Sequence, residues 1–169
     1  MKLKHDELLS NFAFNCNLRH YIKKQVGVPT PCQVVLLQEL DRYNQLVAKM
    51  LSTLKNLQKA LSGEIGMSGD LDLLATALSN GALPDTWMKM TAATEKKLGS
   101  WILWFERRYQ QYKVWVEKGE PTVMWLSGLH IPETYTAALV QTACRTKQWW
   151  GHVLHCLNLG VLKHLAFSS

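Results

Sequence analysis

Apolar residues recur through 33–61 at Leu36, Leu40, Tyr43, Val47, Met50, Leu54, Leu57 and Leu61. The steps alternate four and three, averaging about 3.5 residues, so the stripe stays on one face of a helix. Pro29 and Pro31 precede it, where a missing N–H costs least. Glu39 and Asp41 fall early and Lys55 and Lys59 late, the order the macrodipole favours, and Gly63 is a left-handed stop. Such a helix is about 43 Å long at roughly 1.5 Å per residue. The rest of the chain must cover its stripe.

The pattern elsewhere predicts shorter elements. Residues 1–28 carry a weak amphipathic signal (Leu8, Leu9, Phe12, Tyr21) diluted by Asn11, Asn15 and Asn17, and read as an N-terminal arm. Ser68 starts a second helix, with Asp70 in its first turn, Leu71, Leu74, Ala75 and Leu78 on one face, and Asn80-Gly81 closing it. Being short, it is expected to fold back on the long helix as an antiparallel hairpin. Residues 82–97, with Pro84 and Trp87, read as a loop or broken helix. A third helix spans 98–118 with Leu98, Trp101, Ile102, Phe105, Tyr109, Tyr112 and Val116 in phase, stopped by Gly119. Trp104 and Trp115 lie off that stripe, so the helix is expected to be apolar on more than one side. Residues 122–129 read as a short strand or extended piece, and Pro132 and Glu133 open a fourth helix to about residue 145. The tail 150–169 is hydrophobic and irregular. The fold class is mainly α, with one short extended segment near 122–129.

Composition narrows the partners. A hydrophobic share of 47% with 19% charged residues is that of a globular chain with a core. The formal charge is +6, but Lys and Arg are scattered without a basic stripe, which argues against nucleic acid. The charged opening is unlike a signal peptide, and four Cys without a CxxC pair point to reduced thiols in an intracellular setting. The most apolar run, 153–167, is short and interrupted by His155, Lys163 and His164, so no membrane span is expected.

The residue types point to no catalytic group, cofactor or metal. The glycine cluster 63–69 lies between two helices and lacks the Lys-Ser/Thr of a phosphate-binding loop. His152 and His155 share a helical face near Cys156 and His164 but lack an orienting acid, so incidental residues outweigh a zinc site. Cys144 has no identifiable base. Glu39 with Asp41, and Asp70 with Asp72, read as solvated helix faces.

Two stretches together carry a resemblance. Val34-Val35-Leu36-Leu37-Gln38-Glu39-Leu40-Asp41-Arg42-Tyr43-Asn44 resembles the LLQE(L/I)xRxN helix of dynein heavy chains. Val123-Met124-Trp125-Leu126-Ser127-Gly128-Leu129-His130-Ile131-Pro132-Glu133, continuing to Gln141 and Arg145, is similar to their xWxSGxxxPxxxLTxxLQ segment. Leu83-Pro84-Asp85-Thr86-Trp87 and Leu98-Gly99-Ser100-Trp101 fall between in the family's order. The likeness covers about 28–149 and points to the C-terminal region of an axonemal dynein heavy chain of the inner-arm type. Its motif residues here are Gln38, Glu39, Arg42, Asn44, Trp87, Trp125, Ser127, Gly128, Pro132, Gln141 and Arg145.

The resemblance implies a helical layer lying across an AAA+ ring and modulating its movement, with nucleotide and microtubule sites elsewhere in the heavy chain. It implies the ring and dynein complex subunits as partners, and a cytoplasmic, axonemal location. After Arg145 the family continues toward a β-barrel, whereas Trp150-Gly151-His152 departs from its pattern; 150–169 is expected to be a divergent end, truncated before the barrel. The competing expectation is a free-standing helical module that self-associates, or binds a partner, through its heptad stripe and Trp-rich faces.

Overall fold

The computed structural model describes residues 29–147, and the side chains of 29–145. Five helices follow one another: α1 (Pro31–Leu61), α2 (Gly69–Ser79), α3 (Asp85–Met88), α4 (Leu98–Lys118) and α5 (Pro132–Lys147). A 3-10 turn at Leu126–Gly128 precedes α5. The expectations for the N-terminal arm, the hydrophobic tail, and His152 and His155 lie outside the described residues.

Helix α1 starts two residues before the periodic pattern because Thr30 caps it. The Thr30 hydroxyl accepts from the Gln33 N–H while the Gln33 side chain accepts from the Thr30 N–H, a reciprocal capping box. Ser68 caps α2 without the return bond, its hydroxyl accepting from the Leu71 N–H. At the far end of α4, Gly119 takes φ +87°, a left-handed stop that L side chains resist.

The stripe of α1 is wider than a heptad seam in its first half and fades in its second. Cys32, Val35, Leu36, Glu39, Leu40, Tyr43, Leu46 and Val47 are buried, spanning about 140° of the helix at roughly 100° per residue. Two neighbours cause this width. Helix α5 packs closely along α1, while α4 meets it through rings: Tyr43 stacks on Phe105 at 4.5 Å and meets Tyr112 edge-on at 5.8 Å. Beyond Val47, Met50 and Leu54 are only partly buried, Leu57 is buried, and Leu61 is 71% exposed.

Helix α2 folds back on α1 as the hairpin expectation requires, burying Leu74. Trp87 of α3 is 2% exposed, stacks on Trp101 at 6.4 Å and donates its indole N–H to Thr53 at 3.1 Å.

Two expectations sharpen. Of the strand and the extended piece expected at 122–129, the structure has the extended piece: Trp125 is extended, and a 3-10 turn follows. Trp115 belongs to the same buried face of α4 as Trp101, Phe105 and Tyr112, whereas Trp104 lies off that face and meets Trp125.

Candidate functional site

The polar centre of the fold is Glu39, which is 1% exposed rather than on a solvated face. Its carboxylate accepts from the Tyr112 hydroxyl at 2.6 Å and from the backbone N–H groups of His130 at 2.7 Å and Ile131 at 3.3 Å. Arg42, one helical turn on, adds an ion pair at 3.3 Å. One side chain of α1 thus holds α4 and the entry to α5. The two N–H donors lie just before Pro132, where free amides and the helix dipole favour an anion. A carboxylate this buried is sustainable because its lone pairs are used.

A second charge stands beside it. Arg108 is 3% exposed and lies 4.1 Å over the Trp104 ring. Burial lowers the pKa of its guanidinium, while Tyr112, Glu39 and Tyr43 oppose that shift. Tyr112 and Tyr43 are pushed upward, chiefly by burial, so both phenols stay protonated. Burial lowers His130, against the pull of Glu39.

The segment before α5 is pinned by a side chain. The Gln111 amide accepts from the Trp125 N–H at 3.0 Å and donates to the Trp125 carbonyl at 3.3 Å. Backbone groups that would pair with a strand are satisfied by this one residue. The Trp125 ring meets Trp104 edge-on at 5.5 Å, with Arg107 4.7 Å from its centroid. It also covers Gly128 so closely that an added Cβ would lie 2.3 Å from Cε3. Only glycine fits there.

This arrangement organises packing. Among the described residues no group of three His, Cys, Asp or Glu side chains is placed to hold a metal, and no helix is long and apolar enough to cross a membrane. The Cys32 thiol is pushed up to about 11 by burial and by Glu120, which keeps it unreactive at neutral pH.

The family model for the C-terminal domain of dynein heavy chains matches residues 2–159. The protein belongs to that family. Dynein-1-alpha heavy chain of the flagellar inner arm I1 complex from Chlamydomonas reinhardtii is 62% identical over 128 residues, which is 76% of this chain and 3% of that protein. Human dynein axonemal heavy chain 10 is 50% identical over 129 residues, again 76% of this chain and 3% of the relative. Dynein-1-beta heavy chain of the same algal complex is 35% identical over 82% of this chain and 3% of its own length. The sequence thus spans about 3% of these curated relatives.

Ten of the eleven dynein-like motif residues fall into three groups. Glu39, Arg42 and Pro132 meet at the buried carboxylate and the start of α5. Trp87, Trp125 and Gly128 shape the aromatic packing, and Ser127 sits exposed in the turn between the last two. Gln38, Gln141 and Arg145 line one groove between α1 and α5; Asn44 is half-buried on α1. Residue patterns missed Tyr112, Arg108 and Gln111. Tyr112 was legible only as a core ring, and nothing local marked Gln111 as a backbone clamp.

Proposed function

We propose that this chain acts as a non-catalytic helical layer of an axonemal dynein heavy chain, within the ciliary axoneme. In that reading it packs on the AAA+ ring of the same heavy chain, in the setting of the dynein complex, and modulates microtubule-based movement. The observation that carries it is a set of large apolar side chains the core leaves uncovered. On α4, Leu103 is 69% exposed and Val114 41%, and eleven residues place them on one side, opposite Trp101, Phe105 and Tyr112. Val123, 86% exposed, and Leu126, 40%, flank the pinned Trp125. Large exposed side chains on a rigid helix are what an intramolecular contact requires.

The test uses a full-length axonemal heavy chain. Leu103→Glu with Val114→Glu is expected to raise hydrogen exchange at the ring surface beneath the layer and to slow microtubule gliding. Unchanged exchange and gliding would overturn the reading. If instead the isolated protein sediments as a stoichiometric oligomer that these substitutions dissolve, the face serves a free-standing self-associating module.

A further inference from the structure

We propose that the groove between α1 and α5 docks an extended peptide segment of another polypeptide, one that carries a carboxylate side chain. This goes beyond the ring contact, since α4 contributes no residue among those lining the groove. The groove measures about 290 Å³. Buried Val35 and Ala138 form its floor and Val34, 38% exposed, its apolar edge. Above them stand Gln38, Gln141 and Arg145, all exposed and none hydrogen-bonded or ion-paired to a described residue. Three long polar side chains thus converge on an apolar trough without contributing to the fold.

Their chemistry specifies the occupant. A glutamine amide offers both N–H donors and a carbonyl acceptor, so it can take the N–H and the carbonyl of an extended backbone. The same protein shows the mode at work, where Gln111 takes both the N–H and the carbonyl of extended Trp125. Arg145 is the one charged side chain among the described residues that line the groove, with no acid beside it there, so it selects a carboxylate. An apolar floor for alternate side chains, amides for the backbone and one cation for an acid together describe an acidic extended peptide.

The experiment is a chemical-shift titration of the isotope-labelled 169-residue chain with acetyl-Val-Glu-Val-N-methylamide, beside its Val-Gln-Val and Val-Lys-Val counterparts. Saturable shifts are expected at the amides of Val34, Gln38 and Gln141. The Glu peptide should bind about two- to five-fold more tightly than the Lys peptide, the range of an exposed ion pair. Arg145→Glu should reverse that order, and Gln38→Ala with Gln141→Ala should weaken all three peptides alike. Both variants alter exposed residues, and unchanged circular dichroism verifies their fold. Shifts that do not saturate, that centre on Leu103 and Val123 instead, or that show no preference among the three peptides would overturn the proposal.

Discussion

The two halves of α1 are built differently. The first half is held by specific polar and aromatic contacts: Glu39 reaches α4 and the entry to α5, and Tyr43 lies against Phe105 and Tyr112. The second half, with α2, is held mainly by partial apolar burial. Leu74 is the buried residue of α2, Leu73 is 70% exposed, and residues 61–70 are all exposed. Directional contacts fix a unique arrangement, whereas an apolar hairpin tolerates adjustment. The first half is therefore the specified core and the second a peripheral arm.

The contrast is broken most severely at Glu39. Glu39→Ala leaves Arg108 without its compensating charge and strips acceptors from Tyr112, His130 and Ile131; it should cost about 3–5 kcal/mol in urea unfolding followed by circular dichroism. Gly128→Ala drives a methyl into the Trp125 ring and should cost about 1–3 kcal/mol, with a shifted Trp emission in the folded state. In the peripheral half, Leu54→Ala should cost about 1–2 kcal/mol, below the range for full burial, and Leu61→Ala no more than about 0.5 kcal/mol.

The smallest effect is one of pH. Burial lowers His130 below its ordinary 6.5, so the unfolded state binds its proton more readily. Its contribution to stability is whole above that value and is lost as pH falls below it. The urea midpoint of the wild type should therefore drop more between neutral and mildly acid pH than that of His130→Asn.

Legibility in the sequence followed the range of the interactions. Helix α4 was readable from end to end because its ring spacing and Gly119 are local. The start of α1 slipped by two residues although Thr30 and Gln33, the capping pair, stood in view. The 122–129 piece read as a strand or an extended piece because Val123, Trp125 and Leu126 suit either; it is extended at Trp125, where its hydrogen-bond partner is a side chain fourteen residues back on a helix. Glu39 read as solvated because the groups that bury it come from 73 and 91 residues away. Periodicity cannot report partners at that distance. The family motif did flag Glu39, Trp125 and Gly128, without saying that one is a buried pin and the other two a ring seated on a glycine.

Native-state hydrogen exchange, read residue by residue on the 169-residue chain, tests the division of α1 most directly. Two tiers are expected. The amides of His130, Ile131, the first half of α1 and the centre of α4 should exchange only near the global unfolding free energy. Those of α2 and the end of α1 should open several kcal/mol more easily (about 2–4) through local unfolding. Uniform protection across both halves, or fast exchange at His130 and Ile131, would contradict it.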